Sequence, residues 1–179
     1  MRLFIAIEPD EAAIRHLQRM QNALRDLINA RWTPAEQLHL TLKFLGDTPD
    51  ERILELLNAL QTVHLTDPIR LQISGIVCFP SHGSVRIIAA AMEDEENRCA
   101  ALAAEIDKVC RTVGYPLEPR RWTPHITLAR VKERTPPEMR QRIAAVTFPA
   151  REFTVDQFVL KESRLNNRGA SYSTLATLS

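Results

Sequence analysis

His39-Leu40-Thr41-Leu42-Lys43-Phe44 and His125-Ile126-Thr127-Leu128-Ala129-Arg130 are two runs of one pattern, a histidine and a threonine two positions apart among apolar residues. On a β-strand the side chains of residues i and i+2 leave the same face. Leu38, Leu40, Leu42 and Phe44 then form one face of the first strand, and His39, Thr41 and Lys43 the other. In the second strand Ile126 and Leu128 pack inward while His125 and Thr127 point out together. Two such strands facing each other enclose two imidazoles and two hydroxyls. One imidazole can serve as a base toward water and the other as an acid toward a departing oxygen, so attack at phosphorus needs no metal in this arrangement. The hydroxyls suit donation to non-bridging phosphate oxygens as charge builds there.

The flanking sequence alternates strands and helices. Leu3 to Ile7 reads as a first strand, and Ile14, Leu17, Met20, Leu24, Leu27 and Ile28 recur at helical spacing between about Glu11 and Ala30. A second strand is predicted over Leu38 to Leu45. Thr48-Pro49-Asp50-Glu51 then reads as an N-cap, a first-turn proline and a capping box opening a helix that buries Ile53, Leu56, Leu57, Leu60 and Val63. Runs from Ile69 to Phe79 and Ser84 to Met92 flank the turn Pro80-Ser81-His82-Gly83, an antiparallel hairpin. The stripe Cys99, Leu102, Ile106, Val109 and Val113 predicts another helix, with Glu93 to Glu96 at its start and Gly114 and Pro116 at its end. The His125 strand, a connection at Pro136-Pro137 and strands near Glu152 to Glu162 and Ala170 to Thr177 complete the chain. This order predicts an α+β, bilobal, pseudo-symmetric fold, with antiparallel sheets facing a central cleft and helices outside. Residues 1–179 read as one domain of two similar lobes, each contributing one motif. Arg31-Trp32-Thr33-Pro34 and Arg121-Trp122-Thr123-Pro124 are a second, weaker echo, out of register with the histidines.

Hydrophobic residues make up 45% of the 179 positions and charged residues 25%, enough to build one core. A formal charge of +1 excludes the broad basic field of a protein that clamps long duplexes, so nucleic-acid contact is expected to be local. Cys78, Cys99 and Cys110 show no CxxC spacing and read as reduced core residues of a cytoplasmic protein. Leu3 to Ile7 is too short for a signal peptide or membrane span. A zinc site is the competing use of two histidines, but no third ligand stands at suitable spacing, and no metal or cofactor is expected. His16, His64 and His82 read as surface residues, and Trp32, Trp122 and Phe44 as packing residues before base-stacking ones.

Arg31 to Gly46, Pro124-His125-Ile126-Thr127-Leu128-Ala129-Arg130 and the late Glu162-Ser163-Arg164-Leu165 resemble the bacterial and archaeal RNA 2′,3′-cyclic phosphodiesterases, formerly called 2′-5′ RNA ligases, of the 2H phosphoesterase superfamily. The resemblance spans nearly the whole chain. It implies conversion of RNA 2′,3′-cyclic phosphate ends, or of small cyclic nucleotides, to 2′-phosphates by a metal-independent monomer. It further implies that His39 is the proton donor and His125 the proton acceptor, with Thr41, Thr127 and Arg130 binding substrate. Strict alternation would turn Arg130 away from His125 unless a bulge or strand end re-aims it. Arg86 to Ala89 lacks an aromatic residue expected of relatives. The alternative activity is ATP-independent 2′-5′ RNA ligation, with an RNA 5′-hydroxyl replacing water; no P-loop supports an ATP-driven route. A non-catalytic RNA-end binder is the third reading.

Overall fold

Five consecutive apolar residues, Leu3 to Ile7, are all buried in β1 (Arg2–Ile7). Leu3, Ile5 and Ile7 face the main core, while Phe4 and Ala6 pack with Val159 on the opposite face. A run apolar on both faces suits a strand with neighbours on either side, and β1 has them.

The computed structural model describes residues 1–119, 121–166 and 169–179. Among these, nine strands join in one antiparallel sheet. The others are β2 (Ala30–Trp32), β3 (Leu40–Asp47), β4 (Ile69–Phe79), β5 (Ile87–Glu93), β6 (His125–Val131), β7 (Arg151–Val155), β8 (Phe158–Asn166) and β9 (Gly169–Leu178). Their order is β7-β4-β5-β6-β3-β1-β8-β9, with β2 also paired to β6. At the centre of this path β3 and β6 share a single bridge, Leu40 with Ile126, whereas the ladders on either side are long. The predicted antiparallel sheets are therefore two halves of one sheet, β7-β4-β5-β6 with β2 also on β6, and β3-β1-β8-β9, joined through the one β3–β6 bridge. The halves are interleaved in the chain. Instead of one strand over Glu152 to Glu162, the backbone breaks at Asp156-Gln157: β7 pairs with β4 in one half and β8 with β1 in the other.

Four helices, α1 (Glu11–Leu24), α2 (Ile53–Leu60), α3 (Arg98–Thr112) and α4 (Met139–Ala144), pack against the sheet's core face. α1 follows β1 but packs against β6 and β7, while α3 follows β5 but packs against β3 and β4, so both long helices tie the halves together. Asp10 caps α1 by accepting the Ala13 amide at 2.6 Å. The helix stops at Leu24, short of the predicted Ala30, because the chain must turn to set Ala30 beside Val131; the Leu27 amide closes that turn on the Leu24 carbonyl. His16 lies on the inner stripe with Leu17 and Met20, buried and not at the surface. Thr48 does not cap α2. It is buried with the Tyr115 hydroxyl donating to its Oγ1 at 3.2 Å, and a 3₁₀ turn over Asp50–Arg52 comes first. α3 ends in a Schellman motif: Tyr115 N–H bonds the Cys110 carbonyl and Gly114 N–H the Arg111 carbonyl, with Gly114 at φ +84°. Burial pushes the Cys99 thiol up to about 12 and that of Cys110 to about 11. Among the described residues no helix is long and apolar enough to cross a membrane.

Candidate active site

The bridge residues Leu40 and Ile126 each stand between the histidine and threonine of their motif. Antiparallel pairing therefore sets His39 toward Thr127 and Thr41 toward His125. Since Leu40 and Ile126 are buried in the core, the period of two places the four motif side chains on the opposite face, where all are partly exposed. Their strand neighbours on that face are small: Ala6 opposite Thr41, Ala89 opposite Thr127, Ala91 opposite His125, and Gly75 beyond Ala91. Such a floor leaves room for a phosphate between the motifs. Within Arg86 to Ala89, the run without an aromatic residue, it is Ala89 that stands opposite Thr127.

Each imidazole is held in the same way. Nδ1 of His39 lies 2.6 Å from the Gln37 carbonyl and Nδ1 of His125 lies 2.9 Å from the Thr123 carbonyl, both two residues back. A carbonyl only accepts, so Nδ1–H donates and Nε2 remains for proton transfer in both rings. The surroundings differ. His39 packs against Phe4 at 4.9 Å between centroids and meets Tyr172 edge-on at 5.4 Å, while His125 has Phe79 at 5.0 Å. Burial lowers the His39 pKa from its usual value; the Lys161 ammonium and the second imidazole act the same way, against the Gln37 carbonyl and the Glu8 carboxylate.

Lys161 is a site residue that the sequence reading missed. It is buried opposite Phe4, and its Nζ donates to Glu8 and, at 3.2 Å, to Thr174 Oγ1. Its step with Val159 on an apolar strand was the available signal. Glu8 follows β1 directly, and nothing local marks it as the partner of a lysine so distant in sequence.

The fourth residue of each motif is a bulge. Against β1, Ala6 pairs with Thr41 and Ile5 with Lys43, skipping Leu42; against β5, Ala89 pairs with Thr127 and Ile88 with Ala129, skipping Leu128. An extra residue reverses the alternation beyond it. Lys43, expected beside His39 and Thr41, therefore turns to the core face, where its Nζ donates to Asp107 of α3 and, at 2.8 Å, to the Pro116 carbonyl. Phe44, expected on the buried face, is 67% exposed on the cleft face next to Phe4. The same reversal buries Ala129 behind Leu128 and returns Arg130, exposed, to the face of His125. The echoed tryptophan segments serve these bulges crosswise. The Thr33 amide and Gln21 Nε2 donate to the Leu128 carbonyl, and Trp122 Nε1 donates to the Thr41 carbonyl at 3.0 Å. Both indoles pack against the core.

Among the described residues, no three His, Cys, Asp or Glu side chains cluster so as to hold a metal ion. A model of the 2′-5′ RNA ligase superfamily matches residues 8–167. A Thermus thermophilus protein named RNA 2′,3′-cyclic phosphodiesterase is 33% identical over 100% of this chain and 90% of its own length. The crystal structure of TT0787 from Thermus thermophilus has the same fold, with a TM-score of 0.83 at 29% identity over 99% of this chain and 96% of that one. The structure of E. coli LigT complexed with 3′-AMP gives 0.79 at 23% identity over 98% and 95%, a likeness of fold. The duplicated motif, the two-halved sheet and a family match over most of the sequence lead to one conclusion: the chain belongs to the 2′-5′ RNA ligase superfamily, with the bacterial and archaeal RNA 2′,3′-cyclic phosphodiesterases of the 2H phosphoesterase group.

Proposed function

We propose that the protein hydrolyses RNA 2′,3′-cyclic phosphate ends to 2′-phosphates by paired-histidine acid–base catalysis without a metal, each half of the sheet contributing one motif. The observation that carries this reading is the matched pair of imidazoles, each donating Nδ1–H to the carbonyl two residues back so that Nε2 is left for the reaction. His125 takes a proton from water as its oxygen bonds to phosphorus. The bond from phosphorus to the 3′ oxygen breaks, and His39 gives its Nε2 proton to that oxygen. Each turnover leaves His39 neutral and His125 protonated, and exchange with solvent resets both. The environment that lowers the pKa of His39 makes its imidazolium a stronger acid toward the leaving oxygen, while the bound phosphate anion favours the protonated ring. Thr41 and Thr127, one beside each histidine, donate to the non-bridging oxygens, and Arg130 binds the substrate from the same face.

The test is turnover of a 5′-labelled oligoribonucleotide ending in a 2′,3′-cyclic phosphate, with and without a chelator. His39→Ala and His125→Ala should each lose about 10²- to 10⁴-fold, the usual worth of a general acid or base, and the product should be the 2′-phosphate. Near wild-type rates in either variant, or activity lost to the chelator and restored by zinc, would refute the mechanism. Adding a 5′-hydroxyl oligonucleotide reads ligation as joined product.

A further inference from the structure

Phe79 is in register with Ile87 at one end of β5, and His125 with Ala91 near the other. The diagonal between them, from β4 across β5 to β6, passes over Ala89. Because that residue is small, the two rings meet above it, with centroids 5.0 Å apart and planes inclined by 54°. Ala89 is fully buried in consequence, although it lies on the cleft face. A phenyl ring usually finds its place in a core. Among the described residues Phe79 belongs to neither buried cluster, whereas Ile76 and Cys78 of the same strand pack against the main one. What its ring meets instead is the histidine proposed as the base.

The position of Phe79 is imposed from outside its strand. Arg140 of α4 donates to the carbonyls of Cys78 at 3.2 Å and Pro80 at 2.8 Å, one on either side of Phe79, and to that of Gly83 at 3.2 Å. The Phe79 carbonyl accepts the Arg86 amide at 2.8 Å. The returning limb is tied to the same connection: Thr135 Oγ1 accepts the Val85 amide at 2.8 Å, and the Thr135 amide donates to Ser84 Oγ at 2.9 Å. A guanidinium carries its donors in a rigid fork, so one side chain can fix several carbonyls of a turn that lies outside any helix or strand. The two histidines differ in what encloses them. His39 lies against two rings, Phe4 and Tyr172, while among the described residues Phe79 is the one ring against His125. The bond from Nδ1–H to the Thr123 carbonyl holds one edge of the His125 ring. The ring can still pivot about that bond unless something stops its face.

We propose that Phe79, held by Arg140, is a positioning residue for His125: it stops the imidazole from pivoting and keeps Nε2 aimed at the attacking water. This rests on His125 acting as the base. The test measures kcat and KM on adenosine 2′,3′-cyclic phosphate. Phe79→Leu should lower kcat about tenfold and leave KM within about twofold, less than the roughly 10²-fold cost of a 1 Å misplacement, since the Thr123 carbonyl still holds one edge. Phe79→Tyr keeps the ring and should stay within about twofold of wild type. In a His125→Ala background Phe79→Leu should cost nothing further, while in His39→Ala its loss should persist, because residues in contact are not additive. Arg140→Gln should lower kcat by the same route, and a loss that persists in the Phe79→Leu background would refute the Arg140 link. If Phe79 only supports the turn or lines the substrate, Phe79→Leu will cost the same with and without His125, or act on KM alone, and either result overturns the proposal. Equal losses in Phe79→Tyr and Phe79→Leu would overturn it as well. If wild type does not turn over the substrate, the hydrolase reading fails, and long-range proton–nitrogen NMR of the neutral His125 ring still tests the positioning. Wild type should show the Nδ1–H tautomer and Phe79→Leu a mixture with Nε2–H; the same tautomer in both would rule the positioning out.

Discussion

Lys43→Met should cost stability and leave activity intact, the reverse of what a lysine beside His39 and Thr41 would do. The Lys43 side chain is 3% exposed, its ammonium shared between the Asp107 carboxylate and the Pro116 carbonyl. Methionine keeps most of the apolar stem and removes the charge. Breaking a buried pair by deleting one partner costs about 3–5 kcal/mol, because the other charge is left behind. Asp107 is 20% exposed and retains the Glu118 amide at 3.2 Å, which puts the loss near the low end. About 3 kcal/mol in a domain of this size lowers the Tm by roughly 6–12 °C. Lys43→Met/Asp107→Leu should recover most of that, since replacing both partners removes the orphaned carboxylate. The assays are thermal and urea unfolding beside kcat/KM on a cyclic phosphate substrate, which should stay within about twofold. A variant that keeps its unfolding midpoint but loses activity tenfold would put the ammonium in the cleft. The bulge at Leu42 would then not reverse the strand, and the matching argument for Arg130 would fail with it.

Two further outcomes depend on histidine protonation. Lys161→Met removes a positive charge that lowers the His39 pKa and leaves Glu8, which raises it, unpaired; the His39 ring-proton NMR titration should therefore move to higher pH, and a downward shift or none would contradict the assignment. His16 has its pKa lowered by burial first and then by Arg19 and Arg151, so folding favours the neutral ring. Its contribution to stability is present above the unfolded value of about 6.5 and is lost as pH falls through the lower folded value. The urea midpoint should drop between pH 8 and pH 5, and His16→Leu should drop less, with the remainder coming from His39, which carries the same sign. An equal drop in both proteins would mean that His16 is not the buried neutral ring described.

What was legible in the sequence was whatever rests on local periodicity. Alternation around His39-Leu40-Thr41 and His125-Ile126-Thr127 survives because Leu40 and Ile126 are core residues at the one bridge between the halves. The helical stripes survive as well, apart from ends such as Leu24, where a distant strand sets the turn. Features that depend on register against another strand were not legible. A bulge at Leu42 or Leu128 exists only relative to β1 or β5, and the burial of Thr48 requires Tyr115 from the far end of α3. The Lys161–Glu8 pair joins the two ends of the chain.

The bulges also explain how a duplicated motif can build an asymmetric cleft. Both copies have leucine at the fourth position and both bulge there, so the fifth residue is sent to the core and the sixth to the cleft by backbone geometry alone. The fifth can then be Lys43 or Ala129, because each faces its own half's interior: a carboxylate on α3 accepts the first, and close packing the second. The sixth can be Phe44 or Arg130 without disturbing the motif, since neither is needed by the core. The acid–base mechanism proposed above uses the first and third positions, where the two copies are alike, and the sixth position is the nearest place on the same face where they differ.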